Sequence, residues 1–289
     1  MPAPARASAA KGFGSAAEPD PDRLPTTAAF NPRVQRPLGL AIDIGTTTLA
    51  AAAVDLASGR TVAAGSTLNP QAEVGADVMS RIQFAGRSAG CLAQLTAAVR
   101  RGLAALTAQL SAEASASAGD LVGATAVGNP AMLHLWRGAD PFGLGVAPYL
   151  GRWTEAVHTR ADEVGLPIPP GAPVYVLPCV RSHVGADAVG ASVAVGLDIS
   201  DEPALVIDLG TNSEIVLGSA AAVFAASTAA GPAFECGGIS CGMRAANGAI
   251  DALHLEPDGR WSVHAIGNEP AAGMCGPGRA PGPAGSTGA

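Results

Sequence analysis

Apolar positions along the chain fall into runs of different period, and the period marks the element. Leu38 to Ile44 reads as a buried strand, Thr48 to Asp55 as a second and Thr61 to Leu68 as a third, with Ser58-Gly59 as the turn between the last two. They predict an antiparallel meander. A short helix is expected around Ala76 to Phe84 and a longer one from about Leu92 to Ala112, where Leu92, Leu95, Val99, Leu103, Leu106 and Leu110 recur at spacings of three and four. Leu121 to Val127 is a strand, and Gly128-Asn129-Pro130 opens a helix through Met132, Leu133 and Leu135, with proline where a first turn tolerates it. Asp140 to Pro173 reads as a proline- and glycine-rich loop, Val174 to Leu177 as a short strand, and Ala186 to Leu197 as an Ala/Val-rich helix whose start is marked by Asp187. Strands are then expected at Ala204 to Asp208, Glu214 to Leu217 and Val223 to Ala226. A hairpin follows, Ala249 to Leu255 and Trp261 to Ile266, turning through Pro257-Asp258-Gly259.

The flanks carry no such pattern. Met1 to Pro37 holds seven prolines and few large apolar side chains, and the Pro/Gly-rich stretch beyond Gly276 offers nothing to bury. The expected organisation is a tail over 1–37, a first subdomain over 38–200, a second over 201–276 and a tail over 277–289, in an α/β fold.

Composition narrows the chemistry. The net charge of -7 argues against a phosphate-backbone binder, so nucleic acid is not an expected partner. Of the 17 basic residues the only lysine is Lys11, which removes the P-loop, the protein-kinase strand lysine and the pyridoxal Schiff base. The five cysteines, Cys91, Cys179, Cys236, Cys241 and Cys275, show no zinc-type pairing and suggest a reducing, cytoplasmic setting. No apolar run follows Arg6 and Lys11 as a secretory signal requires. Ile215 to Phe234 lacks charge over 20 residues, but Gly218, Ser219, Ser227, Thr228, Gly231 and Pro232 make it a poor membrane span.

One phrase occurs twice. Ala41-Ile-Asp-Ile-Gly-Thr-Thr-Thr48 and Val206-Ile-Asp-Leu-Gly-Thr-Asn-Ser213 place an Asp between apolar residues, then Gly and hydroxyl or amide residues, the second copy 165 residues after the first. In such a hairpin the glycine lets backbone approach a phosphate, hydroxyls and N–H groups donate to its oxygens, and the Asp holds a hydrated Mg²⁺. Either copy alone is ordinary turn chemistry. Together they predict a polyphosphate held by two loops.

The duplicated loops resemble the phosphate motifs of the ASKHA superfamily, the fold of actin, sugar kinases and heat-shock chaperone ATPases. Within it the chain resembles the ATPase part of the reductive activators of corrinoid-dependent proteins. That likeness is carried by Gly128-Asn-Pro-Ala-Met-Leu-His134, Leu177-Pro178 with His183-Val-Gly-Ala-Asp187, Asp208-Leu-Gly-Thr-Asn-Ser-Glu-Ile215, and Ser227-Thr-Ala-Ala-Gly-Pro-Ala-Phe-Glu235 through Gly238-Ile-Ser-Cys-Gly-Met-Arg244. It implies two related subdomains with duplicated phosphate-binding hairpins, the second incomplete. It also implies ATP-coupled reduction of a Co(II) corrinoid to Co(I), with a separate iron–sulfur protein as electron donor. The partner would be a corrinoid protein or corrinoid-dependent methyltransferase, and the family suggests a homodimer. By position, Gly45, Thr46, Thr47, Thr48, Gly128, Asn129, Gly210, Thr211, Asn212 and Gly231 would contact ATP. Asp43 and Asp208 would hold Mg²⁺ through water, and Glu214 and Glu235 are candidate orienting or water-activating carboxylates.

Two departures stand out. The family's iron–sulfur domain needs a cysteine cluster ahead of this region, yet no cysteine precedes Cys91, so no cluster is expected in this chain. Cys236 and Cys241 have only part of a ferredoxin spacing. Gly273-Met-Cys-Gly-Pro-Gly278 resembles the start of a family segment after which an adenosine-binding motif should follow, and its absence predicts a truncated second subdomain. An inactive fragment or partner-binding module is the alternative. A small-molecule kinase of the same fold would need an acceptor-activating Asp that the sequence does not mark. His134 and His183 are expected to be structural, and Trp136, Trp153 and Trp261 too scattered for a stacking platform.

Overall fold

A computed structural model describes residues 34, 36–210, 212–229, 241, 243, 247–255, 260–266 and 269–279 of the 289. The strands β1 (Leu38–Ile44), β2 (Thr48–Asp55) and β3 (Arg60–Leu68) form the expected meander. β4 (Leu121–Gly128) joins β1 in parallel, and β6 (Pro173–Val176) and β5 (Val157–Arg160) complete a six-stranded sheet in the order β3-β2-β1-β4-β6-β5.

Period two decides the faces of this sheet. Leu38, Leu40, Ile42 and Ile44 are buried on one face of β1, whereas Gly39, Ala41 and Asp43 point to the other. Helices α1 (Val78–Ala85) and α2 (Ala89–Glu113) cover the first face, α2 through Leu95, Val99, Leu103, Leu106 and Leu110. Gly102 allows the close approach: a Cβ there would stand 2.6 Å from Leu49 Cδ1 and 2.8 Å from Pro70 Cδ.

The expected loop over 140–173 instead contains α4 (Phe142–Gly145), β5 and α5 (Ala161–Val164). β5 pairs Val157 with Val176 through Arg160 with Pro173, so backbone pairing at the sheet edge defines a four-residue strand that shows no apolar alternation. α3 (Pro130–Trp136) is buried along its whole length.

Helix α6 (Ala186–Ala194) ends three residues earlier than its apolar run suggests, because Gly196 at φ +72 breaks the helical conformation. It packs on the second face of the six-stranded sheet, where a Cβ on Gly190 would lie 3.1 Å from Val127 Cγ1. Its other side meets the three-stranded sheet of β7 (Ala204–Asp208), β8 (Asn212–Ser219) and β9 (Ala222–Ala229) around Val184, Ala188, Leu197 and Val216. On the outward face of that sheet Leu205, Ile207, Ile215, Leu217 and Phe224 are exposed.

The described residues through Asp208, with Glu214–Ser227, form one compact unit. Leu209–Ser213 and the described residues from Thr228 form another. In the second, β10 (Ala249–Leu255) pairs antiparallel with β11 (Trp261–Ala265), as the sequence predicts. It also pairs in parallel with β12 (Gly273–Arg279), which the sequence does not predict. β12 carries the strand past residue 276 into the expected tail. Its Gly-Met-Cys-Gly-Pro-Gly-Arg has no side-chain alternation to announce it, and only pairing with β10 defines it.

Candidate functional site: a phosphate-type loop beside four carboxylates

The β1–β2 turn is tight. Ile44 and Leu49 are the last paired residues, and a Cβ on Gly45 would stand 2.5 Å from the Thr48 carbonyl oxygen, so only glycine closes it. Thr46 is buried and accepts a hydrogen bond at Oγ1 from Asn129 Nδ2 at 3.0 Å, while Thr47 is partly exposed and Thr48 exposed. Asn129 does two jobs, because its Oδ1 also accepts from Met132 N–H at 3.0 Å and caps α3. Gly128, at φ +153, brings that cap against β1: a Cβ would sit 2.7 Å from the Ile44 carbonyl oxygen. Gly45, Thr46, Gly128 and Asn129, chosen from two separate stretches of sequence, therefore lie together.

Four carboxyl groups gather beside this loop. Asp43 faces the α6 side of the sheet as the register partner of Val127, over which Gly190 packs. Asp187 lies in the first turn of α6, where its Oδ1 accepts from the Ala188 N–H at 2.9 Å. Asp208 and Glu214 are partners across the β7–β8 hairpin and share the face that meets α6. At Gly185 a Cβ would touch Asp187 Oδ1 at 2.5 Å and the Gly128 carbonyl oxygen at 2.7 Å, so the start of α6 abuts the Gly128-Asn129 turn.

Burial, joined by like charge at all but Asp208, raises the pKa of each of these groups. Desolvation first, then the charges of Asp187 and Asp208, raises Asp43 from its ordinary 3.8 to about 6. Burial, with Asp208 behind it, raises Asp187 to about 6 against the pull of the Ala188 N–H. Burial alone raises Asp208. Glu214 is pushed from 4.5 to about 7 by burial and then by Asp187 and Asp208, with the Ser227 hydroxyl at 3.4 Å lowering it. No basic side chain contributes to any of these shifts.

Asp187 is the residue that the sequence reading passed over as a site carboxylate. The sequence marks it only as the acid that opens an otherwise small and apolar helix.

Among the described residues no group of three or more His, Cys, Asp and Glu side chains could by itself enclose a metal ion. The residues nonetheless fit a hydrated Mg²⁺, which keeps most of its waters and needs only one or two carboxylates. Uncompensated acid charge at Asp43 and Asp208 would supply the attraction.

In the second loop a Cβ on Gly210 would stand 2.9 Å from the Asn212 carbonyl oxygen, much as at Gly45, and Gly210 N–H donates to Ser213 Oγ at 3.4 Å. Gly210 and Asn212 belong to the other compact unit. Thr211, Gly231 and Glu235 lie outside the described residues.

His134 stays apart from this chemistry. His134 is buried, its Nδ1 lies 2.6 Å from the Pro130 carbonyl oxygen, and its Nε2 accepts from Arg152 N–H at 3.0 Å, which defines a neutral ring. Burial lowers its pKa accordingly. Its ring stacks on Trp153 at 4.1 Å, and Arg137 covers the opposite side of that pair at 4.0 Å from the Trp153 ring centre. No described helix is long and apolar enough to cross a membrane.

With this geometry established, comparison with known families is specific. Residues 38–200 match the RACo middle region, and residues 202–279 match the C-terminal domain of RACo, the ASKHA domain. The chain belongs to the RACo family. Its α/β fold is thus of the ASKHA class that the duplicated loops predict. The corrinoid activation enzyme RamQ of Eubacterium limosum is 37% identical over 240 residues, covering 83% of this chain and 40% of RamQ. A [Co(II) methylated amine-specific corrinoid protein] reductase of Methanosarcina barkeri is 39% identical over 97 residues, 33% of this chain and 18% of the reductase. A solved reductive activator for corrinoid, iron-sulfur protein superposes with a TM-score of 0.75 at 37% identity, covering 84% of this chain and 39% of that one. The chain spans two fifths or less of the length of these relatives.

Proposed function

We propose that this RACo-family chain binds Mg-ATP at the β1–β2 loop and its carboxylate cluster, and couples ATP hydrolysis to reductive activation of a corrinoid protein or corrinoid-dependent methyltransferase. One electron from a separate iron–sulfur donor takes Co(II) to Co(I), and ATP and water give ADP and phosphate. The observation that carries this reading is the convergence of Asp43, Asp187, Asp208 and Glu214 on the loop of Gly45 to Thr48, with no basic side chain to balance them. Magnesium bound there would neutralise phosphate charge. Asp43 and Asp208 would hold its waters, and Thr46 to Thr48 would donate to phosphate oxygens, with Gly210, Thr211 and Asn212 doing so from the second loop. Glu214, at about 7, is matched to accept a proton from an attacking water at neutral pH, and Asp187 would help orient that water. Gly231, Glu235 and a homodimer complete the assignment inferred from the family, and the cysteine pattern adds a cytoplasmic setting.

The test is calorimetric Mg-ATP binding to the wild type and to Asp208→Ala, each confirmed folded by circular dichroism, followed by spectroscopic reduction of a Co(II) corrinoid protein with a low-potential ferredoxin. Binding that depends on Asp208 and reduction that depends on ATP are expected. A folded wild type that ignores Mg-ATP overturns the nucleotide reading and leaves partner binding, and phosphoryl transfer to a small acceptor would make the chain a kinase.

A further inference from the structure

The β1–β2 loop is gripped from beneath by one buried residue. Asn69 directly follows β3; its backbone N–H donates to the Thr47 carbonyl at 2.8 Å, and its Nδ2 donates to the Gly45 carbonyl at 2.8 Å. Two carbonyls of one short turn are thereby drawn inward. Carbonyls turned inward suit an anion site, because a carbonyl oxygen aimed at a phosphate would repel it.

Asn69 is fixed in turn. Its Oδ1 accepts from Gln71 N–H at 3.0 Å, which settles the orientation of the amide: oxygen toward Gln71, nitrogen toward the loop. Gln71, fully buried, donates Nε2 to the Leu95 carbonyl at 3.0 Å and accepts at Oε1 from Arg81 Nη1 at 3.2 Å. Arg81 has no exposed surface, donates Nε to the Gly75 carbonyl at 2.8 Å, and keeps Nη2 without a hydrogen-bond partner. Burial lowers its pKa only to about 10, so it stays cationic at neutral pH. A buried guanidinium without a bonded carboxylate is a poor way to fill space, since an apolar side chain of that volume avoids the desolvation cost. Its bond to Gln71, which in turn holds Asn69, gives the charge a use.

We propose that Asn69 is the positioning residue of the first phosphate loop, with Gln71 and Arg81 as the buried support that holds its amide toward the Gly45 carbonyl. The role in ligand binding rests on the nucleotide reading above; the hold on the loop does not.

The experiment measures hydrogen exchange of the peptide spanning residues 44–49 in the free protein, together with Mg-ATP affinity by calorimetry. Asn69→Asp keeps the size and removes the donor, and Asn69→Ala removes both. Thr96→Val, which deletes a buried 2.7 Å hydrogen bond to the Leu135 carbonyl, controls for general loss of stability. Loop exchange is expected to rise about tenfold in both Asn69 variants, the worth of one such bond, and to stay unchanged in Thr96→Val. Mg-ATP affinity should fall by about the same factor. Unchanged loop exchange in a folded Asn69→Asp overturns the proposal. Arg81→Met keeps it testable if the Asn69 variants fail to fold: roughly threefold faster loop exchange supports the buried relay, and no change overturns it. A loop that loosens as expected in a protein whose wild type ignores Mg-ATP would uphold the positioning and sink the nucleotide reading instead.

Discussion

Asp208 and Glu214 face each other across a hairpin and share one side of it with Asp187, and this arrangement sets what single substitutions should do. Glu214→Gln removes a negative charge that the folded state holds at a cost. It should therefore raise the melting temperature of the metal-free protein at pH 8 while lowering ATP turnover by about a hundredfold or more, the usual worth of a general base. Scanning calorimetry and phosphate release check the two halves separately. A variant less stable than wild type would show that Glu214 is held by contacts rather than strained by its neighbours. Asp187→Asn should likewise stabilise the metal-free chain and slow turnover. Retained turnover there would confine the chemistry to the residues that the sequence itself nominated. Asp43 and Asp208 were legible because each sits in the repeated phrase, and Glu214 because the family resemblance extends one residue past the second copy. Asp187 was not, because a helix-starting acid is common and only its neighbours in space give it a second meaning.

At the scale of elements, glycines set how closely the loop, the α3 cap and the start of α6 approach. Gly128→Ala would drive a Cβ against the Ile44 carbonyl at a φ that L residues rarely adopt, and should cost about 1–3 kcal/mol together with a loss of Mg-ATP binding. Gly171→Ala also has positive φ but meets nothing within 4 Å, so it should lower stability less and leave binding intact. Denaturant titration and calorimetry of the pair separate backbone strain from damage to the site. Equal binding in both variants would show that the β1–α3 approach is immaterial. The meander, α2 and the β4–α3 turn were readable because each carries a clear period or a capping residue. β5 and β12 were not, since both take their strand geometry from pairing with a partner that no local pattern reveals.

For the whole molecule, the raised carboxyl values make stability depend on pH with a definite sign. Asp43 and Asp187 near 6 and Glu214 near 7 bind protons in the folded state at pH values where the unfolded chain has released them. Folding stability from these groups therefore falls as pH rises from about 4 to about 7, and is lowest above that range. Mg²⁺ should oppose this by neutralising the ionised cluster, so its stabilising effect should be larger at pH 8 than at pH 5. Thermal melts at both pH values, with and without Mg²⁺, read this out. A metal effect independent of pH would place the ion elsewhere. Alone, the sequence determined the strand and helix periods, the duplicated loop and the family, because these are written in neighbouring residues and in short motifs that the chain repeats. Only the tertiary structure decided that α6 carries Asp187 to Asp43, Asp208 and Glu214, and that Asn69 reaches back to the loop from 24 positions away. Charge crowding and hydrogen bonds across such separations depend on which faces meet, and no local pattern specifies that.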